Sequence, residues 1–380
     1  MSDHVDAGAA GNRPATLADL TTLRVGGPAA RLVEATTTDE LVDAVLDAQA
    51  HDDEWLVLGG GSNVLVGDHG VDGTVIRVMT RGIERLPDAE GSRRPVRLRV
   101  AAGEPWDDLV AHTVDEGFAG LEALSGIPGS TGAAPIQNIG AYGQEVGESL
   151  VAVEILDLVT GERHRVPAPE LELGYRASVI KAGRPWIVLS VDLALERNDN
   201  ALSRPVAYAQ LADSLGVDVG DRAPVAGVRS AVIRLRASKG MVLDENDPDS
   251  VSAGSFFTNP IVSGAFARTL PADAPRFATV PEPQAWAVPL GHDPVPPPEP
   301  VDAPVKLSAA WLIERAGITR GFSLGSSRAA VSKKHTLAIT NTGGATAAEI
   351  AELARYIQTR VLSEFGVMLH PEPVFVGVEL

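Results

Sequence analysis

The chain of 380 residues is long enough for two or three domains, and its 44% hydrophobic and 22% charged residues are ordinary for a globular protein. Fifty acidic residues against 32 basic ones give a formal charge of −18, which argues against a surface for nucleic acid or anionic membranes. The absence of cysteine excludes disulfides, thiolate nucleophiles, Cys-bound zinc and thioether-linked cofactors. The N-terminal segment lacks the basic and apolar stretches of a secretion signal, so we expect a cytoplasmic protein.

The first elements are readable from local patterns. Residues 1–15 are small, polar and without periodicity, which predicts a disordered tail. In TTTDELVDAV, Thr37 and Glu40 form a capping box ahead of an apolar stripe at helical spacing. WLVLGGGSNVLV (55–66) predicts a buried strand, a glycine turn and a second apolar segment.

Further strands and one helix complete a first α+β unit. Strands are predicted at 73–78 and 96–103, and PWDDLVAHTVDEG (105–117) predicts a helix that begins with proline and two acidic residues and ends at glycine. The segment 151–166 predicts a hairpin that turns at Thr-Gly. The alternation in WIVLSVDLALE (186–196) predicts a half-buried strand.

A second unit follows a polar linker near residue 200. Eleven of the 27 prolines fall between residues 271 and 304, which excludes a helix or central strand there and predicts a surface excursion. KLSAAWLIERAG (306–317) predicts a helix, and a capping box of Thr346 and Glu349 opens another, which should stop at Gly366.

The glycine loop at Gly59-Gly60-Gly61-Ser62-Asn63 is a candidate phosphate site, because glycines let backbone N–H groups approach a pyrophosphate. The dinucleotide fingerprint fails because Val64 stands in place of its third glycine, and no P-loop lysine follows any glycine run. A tight strand-to-strand turn explains this loop about equally well.

The segment SGIPGSTGAAPIQNIGAYGQE (125–145) has five glycines, two prolines and few side chains that could build a core. Such a run stays ordered when something large and flat packs against its backbone, and loops this long are otherwise uncommon in compact domains. Ser130, Thr131, Gln137 and Asn138 would offer hydrogen bonds to that ligand.

Three further residues are candidates for chemistry, each with a plainer alternative. Arg176 could hold a carboxylate with two hydrogen bonds, or form a surface ion pair. Ser255 lies among apolar residues, where it could be reactive or could cap its own backbone. Glu372, between two prolines, could donate a proton if burial raises its pKa, or could be a solvated acid. The match of GFSLG around Ser323 to a hydrolase elbow is taken as chance, because a helix and not a strand precedes it.

Taken in order, seven motifs resemble one family. They are TTLRVGGPA (21–29), VLGGGSNVLV (57–66), the 125–145 segment, GYRASVIK, AGSFFTNP (253–260), AAVSKKH (329–335) and HPEPVFVG. The chain is similar over residues 16–380 to the UDP-N-acetylenolpyruvoylglucosamine reductases, the MurB-type UDP-N-acetylmuramate dehydrogenases.

The resemblance implies an α+β fold. A vanillyl-alcohol-oxidase-type FAD-binding domain of two subdomains would span 16–200, joined by the C-terminal segment 367–380. A substrate-binding α+β domain would span 215–366. Its Pro-rich excursion, 268–304, is longer than the family pattern.

The resemblance also implies the activity. NADPH would reduce non-covalently bound FAD, and hydride from flavin N5 would then add to C3 of UDP-N-acetylglucosamine enolpyruvate, with a proton delivered to C2. The product would be UDP-N-acetylmuramate, a peptidoglycan precursor. We expect a monomer that binds neither nucleic acid nor membrane.

By the same resemblance, Arg176 and Glu372 would stabilise an enolate and Ser255 would be the proton donor. Tyr175, Tyr208, Lys239 and Asn259 would bind substrate, with Tyr208 resembling a tyrosine that folds over the substrate diphosphate. The implied FAD contacts are Gly59, Gly60, Gly61, Ser62, Asn63, Ser125, Gly129, Ser130, Thr131, Gln137, Asn138, Gly140 and Ala141, and no metal is implied.

Two other functions remain open. An FAD oxidase of the same superfamily would pass electrons to O₂ and often carries a covalent flavin, for which His69 is the only histidine close after the glycine loop. A non-enzymatic nucleotide- or flavin-binding module would not need a proton donor such as Ser255.

Overall fold

The computed structural model describes residues 16–51, 54–89, 91–278 and 302–380. The tail predicted over 1–15 and the centre of the Pro-rich excursion lie outside these residues. The helices in the described ranges are α1 (Thr38–Ala50), α2 (Trp106–Asp115), α3 (Ala209–Leu215), α4 (Val225–Ala237), α5 (Gly264–Thr269), α6 (Ala309–Arg315) and α7 (Ala347–Phe365). The strands are β1 (Ala29–Ala35), β2 (Glu54–Leu58), β3 (Val64–Val66), β4 (Val71–Val78), β5 (Ile83–Leu86), β6 (Val96–Ala101), β7 (Phe118–Ala119), β8 (Gly140–Ala141), β9 (Gln144–Glu145), β10 (Leu150–Asp157), β11 (Arg163–Pro167), β12 (Trp186–Arg197), β13 (Ile261–Val262), β14 (Arg276–Ala278), β15 (Val305–Leu307), β16 (Ala329–Val331), β17 (Ile339–Asn341) and β18 (Val374–Val376).

The first sheet is parallel, in the order β1-β4-β2, and α1 packs against it. The predicted capping box is confirmed: the Thr37 hydroxyl accepts from the backbone N–H of Glu40 at 3.2 Å, and the Glu40 carboxylate accepts from the N–H of Thr37. Leu41 and Val45 on the inner face of α1 are fully buried, so the helix is held mainly by its apolar face.

The second sheet is antiparallel, in the order β11-β10-β12-β6-β5, and α2 packs on it. The predicted hairpin of β10 and β11 is confirmed. The prediction that β12 is half-buried is wrong, because residues 188–195 are all buried. Leu189 joins the core under α1, Leu193 joins the core under α2, and Asp192 is covered by Arg99 and Arg165.

The C-terminal unit is built around α6 and α7, with the sheet β13-β15-β14 beside them. The predicted end of α7 is confirmed, since Gly366 closes it with a φ of +69° that favours glycine. The Pro-rich excursion leaves from β14 and returns at β15, and these two strands pair antiparallel with each other. Leu23 and Leu65 from the N-terminal half also pack in this core.

The last strand, β18, runs parallel to β3 and pairs with it. The backbone N–H of Val374 donates to the carbonyl of Asn63 at 2.9 Å, so the C-terminal segment lies beside the glycine loop. This contact supports the predicted return of 367–380 to the first domain, although the domain boundaries themselves stay a prediction. No helix in the described ranges combines the length and apolar character needed to cross a bilayer.

Candidate functional site

A cavity of about 560 Å³ opens where the first sheet, the second sheet and the C-terminal unit meet. Its walls come from the end of β2, the glycine loop, the 125–145 segment, the start of β12, α4 and the segment between β16 and β17. The predicted site residues that line it are Gly59, Gly60, Gly61, Ser62, Asn63, Gly129, Ser130, Gln137, Gly140, Ala141, Arg176, Tyr208, Lys239, Ser255 and Glu372.

Five predicted residues do not line this cavity. The hydroxyls of Ser125 and Thr131 are buried and donate to backbone carbonyls at 2.7 and 3.0 Å. Asn259 accepts from the backbone N–H at the start of α6 at 2.9 Å. The ring of Tyr175 packs against two cationic side chains. The fifth residue, Asn138, shapes the backbone around Arg176.

The glycine loop is not a hairpin turn, because β2 pairs with β4 whereas β3 pairs with β18. It packs backbone to backbone against the 125–145 segment: a Cβ placed on Gly60 would lie 2.6 Å from the Cα of Gly129. The hydroxyl of Ser62 donates to the carbonyl of Pro128 at 3.0 Å. The two glycine-rich segments therefore form one wall with few side chains, which leaves their backbones open to a ligand.

Arg176 is held rigidly at the cavity wall. Its φ of +55° is uncommon for a residue other than glycine, and such strain concentrates at functional sites. The guanidinium donates to the carbonyls of Asn138 at 3.2 Å and Gly140 at 2.7 Å. Its Nε lies 3.2 Å from Oε1 of Glu372.

The side chain of Asn138 supports this arrangement. Its amide nitrogen donates to Oε2 of Glu145 at 2.8 Å and to the carbonyl of Gly174 at 3.0 Å, and its oxygen accepts from the N–H of Gly147 at 2.9 Å. These bonds occupy the amide, so Asn138 fixes the backbone that Arg176 grips.

Glu372 sits between opposing influences. Burial raises the pKa of this carboxyl, while the charges of Arg176 and Lys181 lower it, and burial is the larger effect. The backbone N–H of Glu372 donates to the carbonyl of Phe256 at 2.9 Å, and its own carbonyl accepts from the Asn63 amide at 3.2 Å. The acid is thereby fixed next to the Ser255 segment, in a setting that favours its protonated form.

Ser255 faces a histidine that the sequence reasoning missed. Its Oγ lies 3.4 Å from Nε2 of His335. Burial, followed by the charges of Lys239, Arg320 and Arg236, lowers the pKa of His335 to about 4, so the ring is neutral near pH 7. His335 ends the motif AAVSKKH, and its place in that motif was the one signal that could have identified it.

Two further residues give the cavity wall positive charge. Burial lowers the pKa of Arg236 to about 10, which leaves it charged at neutral pH, and among the described residues its Nε has no hydrogen-bond partner. Lys239, three residues further along, donates to Gln210 at 2.8 Å and lies 5.6 Å from the ring centroid of Tyr142. Arg236 and Tyr142 were not predicted; the spacing of Arg236 from Lys239 was its only sequence signal.

These features suit a large, flat and anionic ligand. The bare backbone gives a surface for a planar ring, and the buried, unpartnered nitrogen of Arg236 calls for an acceptor that an anionic group would supply. Arg176, Ser255 and Glu372 add a cation, a hydroxyl and an acid to the wall of the same cavity.

Comparison with known proteins gives matches over nearly the whole chain. The FAD binding domain family matches residues 29–167, and the UDP-N-acetylenolpyruvoylglucosamine reductase C-terminal domain family matches residues 247–376. The UDP-N-acetylenolpyruvoylglucosamine reductase of Leifsonia xyli subsp. xyli is 55% identical, covering 97% of this chain and 99% of that protein. The protein of the same name from Salinispora arenicola is 49% identical over 96% of this chain and 95% of that one.

A solved structure agrees with these matches. The crystal structure of UDP-N-acetylenolpyruvylglucosamine reductase from Thermus caldophilus superposes with a TM-score of 0.60 at 27% identity. The superposition covers 95% of this chain and 97% of that one, so the similarity extends through both halves of the fold.

Proposed function

This chain belongs to the UDP-N-acetylenolpyruvoylglucosamine reductase family, and we propose that the cavity beside its glycine loop is where the enolpyruvyl group is reduced. The reaction is the NADPH-driven, FAD-dependent reduction of UDP-N-acetylglucosamine enolpyruvate to UDP-N-acetylmuramate in peptidoglycan synthesis. The observation that carries the assignment is the meeting of a glycine-rich wall with Arg176, Ser255 and Glu372 in one cavity.

The lining residues fit FAD. The wall built from the glycine loop and the 125–145 segment would hold it through backbone N–H groups and short polar side chains, and Arg236 would supply a buried positive charge. When bound, FAD would supply the hydride chemistry that links NADPH oxidation to reduction of the enolpyruvyl group at C3. We limit the proposed cofactor contacts to the predicted residues that line the cavity: Gly59, Gly60, Gly61, Ser62, Asn63, Gly129, Ser130, Gln137, Gly140 and Ala141.

Arg176 and Glu372 would stabilise the charge that develops during the reaction. Hydride addition at C3 pushes an electron pair onto C2 and the adjoining carboxylate, so the transition state resembles an enolate. Preorganised donors aimed at such charge are usually the largest contribution of a protein to catalysis. Arg176 supplies a fixed cation, and Glu372, whose pKa burial raises, would supply a hydrogen-bond donor beside it in its protonated form.

Ser255 would deliver the proton that C2 needs to complete the saturated product. Its neighbour His335 cannot be that acid near neutral pH, because its pKa of about 4 leaves almost no imidazolium. The neutral ring can instead hydrogen-bond the Ser255 oxygen, which lies 3.4 Å from its Nε2. A serine is a weak acid, so it serves only where a strongly basic carbon forms.

Lys239 and Tyr208 would bind the substrate diphosphate. Both line the cavity, and the positive charge of Lys239 counters the −18 of the whole chain. Tyr175 and Asn259 do not line the cavity, so we do not place them against the substrate. The monomeric state and the cytoplasmic location expected from the sequence stay predictions.

The test is turnover by the purified, FAD-loaded protein. We expect NADPH oxidation that depends on UDP-N-acetylglucosamine enolpyruvate, with yellow colour remaining in the supernatant after acid precipitation. Substrate-independent transfer of electrons to O₂, with colour retained in the pellet, would instead identify an oxidase. Bound flavin without turnover would identify a binding module.

A further inference from the structure

Glu122 is a buried carboxylate whose partners are all neutral. Only 1% of its surface is exposed, yet in the described ranges no Lys, Arg or His side chain pairs with it. Its Oε2 accepts from the backbone N–H of Gly120 at 2.6 Å. Its Oε1 accepts from Nε2 of Gln144 at 3.0 Å and from the backbone N–H of Arg204 at 2.7 Å. Burying a carboxylate without a cationic partner costs free energy, and these three hydrogen bonds offset that cost.

The two partners of Oε1 belong to separate segments of the cavity wall. Gln144 begins β9, directly after the turn that holds Tyr142, and Arg204 begins the stretch that ends at Tyr208. A single oxygen therefore ties together two segments that are 60 residues apart in the chain, as the numbering of Gln144 and Arg204 shows.

These segments also touch beyond Glu122. A Cβ placed on Gly143 would lie 2.8 Å from the Cβ of Ala207, so the two backbones run close together. Tyr142 and Tyr208 then meet edge to face, with ring centroids 5.6 Å apart and planes at 88°. Residues 142–144 therefore lie against residues 204–208, and Glu122 links the two segments at Gln144 and Arg204.

We propose that Glu122 is a positioning residue that sets the spacing of the Tyr142–Tyr208 pair and, through it, the affinity of the cavity for the UDP portion of the substrate. The inference rests on the proposed function, which places the substrate diphosphate against Tyr208 and Lys239. Glu122 does not line the cavity and acts only through the segments that it joins.

The decisive variant is Glu122→Ala in the FAD-loaded protein. It removes the acceptor of three donors, two of which belong to the joined segments, and we expect KM for UDP-N-acetylglucosamine enolpyruvate to rise about ten-fold. The kcat should fall by a smaller factor than KM rises, since Ser255 and Glu372 lie on other segments and only the Gly140 carbonyl that Arg176 holds belongs to the loosened segment. Glu122→Gln keeps one acceptor oxygen and should raise KM less. If Glu122→Ala does not fold, KM and kcat are measured on Glu122→Gln instead.

The matched control is Asp192→Asn, which also replaces a buried carboxylate by an amide. Asp192 is 3% exposed, pairs with Arg99 and Arg165 on the second sheet, and does not line the cavity. Its loss should lower thermal stability without changing KM. A KM rise of equal size in this control would reduce the Glu122 effect to general destabilisation and overturn the proposal.

Hydrogen exchange separates this joint from the role of Tyr208. We expect faster exchange of amides in 140–145 and 203–208 in the Glu122 variants and no change there in Asp192→Asn. Unchanged exchange would show that Glu122 does not hold the two segments together, whatever Tyr208 binds. Faster exchange with an unchanged KM would show that this joint does not control substrate affinity. Tyr208→Ala tests the proposed diphosphate contact separately, because an unchanged KM in that variant would refute the contact while leaving the exchange result intact.

Discussion

Individual residues at the reacting end of the cavity balance burial against charge. Glu372 touches Arg176, which would ordinarily keep a carboxyl ionised, yet burial raises its pKa more than the neighbouring cations lower it. Arg176 also gives two of its hydrogen bonds to backbone carbonyls, so it is not committed to Glu372 alone. Burial therefore favours a proton on Glu372 even though the guanidinium of Arg176 lies 3.2 Å away.

Replacement of Glu372 tests whether the protonated form is the active one. Glutamine copies the protonated acid, with one acceptor for Arg176 and one donor, so Glu372→Gln should keep kcat within about ten-fold of wild type, whereas Glu372→Ala should lose roughly 10²–10³-fold. Because a raised pKa keeps the proton on Glu372 at higher pH, wild-type kcat should fall as pH rises through that pKa.

The pH profile supplies the control for this prediction. The alkaline fall assigned to Glu372 should be missing from Glu372→Gln, since an amide does not titrate in this range. An unchanged alkaline limb in that variant, or a loss of activity as large as in Glu372→Ala, would show that the ionised carboxylate is the required form.

Sequence reasoning identified residues whose chemistry is carried by local motifs. Arg176, Ser255 and Glu372 each stand in a short recognisable segment, and all three line the cavity. His335 and Arg236 were missed because their significance comes from distance and burial: one lies beside Ser255, and the other has an unpartnered nitrogen. Neither property can be read from spacing along the chain.

At the scale of elements, the cofactor wall depends on two loops that approach without side chains between them. Substitution of Gly60 by alanine would place a methyl group 2.6 Å from the Cα of Gly129, so one of the loops must move. We expect Gly60→Ala to weaken FAD binding at least about ten-fold, measured by titrating apoprotein and following flavin fluorescence.

Gly227→Ala is the matched control for this substitution. Gly227 is the third residue of α4, and a Cβ there would meet no atom within 4 Å outside its own helix backbone and chain neighbours. Alanine is the better helix former, so this variant should be at least as stable as the wild type and bind FAD like it. Equal FAD affinity in Gly60→Ala and Gly227→Ala would contradict the account of the wall.

Elements with complete local signals were predicted, and those shaped by packing were not. The capping boxes at Thr37 and Thr346 and the glycine stop at Gly366 lie in the structure where the pattern predicts them. The burial of β12 was predicted wrongly, because two separate cores cover it and its polar Asp192 is hidden by arginines from adjacent strands. Such long-range cover has no counterpart in the periodicity of a single segment.

At the scale of the whole molecule, the reacting groups come from distant parts of the chain. Arg176 precedes the second sheet's longest strand, Ser255 opens the C-terminal unit, and Glu372 arrives with the last strand, β18, beside β3. The backbone N–H of Glu372 donates to the carbonyl of Phe256 at 2.9 Å, which joins the Glu372 segment to the segment that carries Ser255. The fold therefore assembles the reacting end of the cavity only when its N-terminal and C-terminal parts are packed together.

Whether Ser255 donates the proton is decided by comparing the two half-reactions of Ser255→Ala with those of the wild type. In stopped-flow traces of the FAD-loaded variant, reduction by NADPH should proceed nearly as in the wild type, because no proton from Ser255 is needed there. Reoxidation by UDP-N-acetylglucosamine enolpyruvate should slow by roughly 10²–10⁴-fold, the usual contribution of a positioned acid. Equal slowing of both half-reactions, or none in reoxidation, would contradict the assignment of Ser255 as the acid.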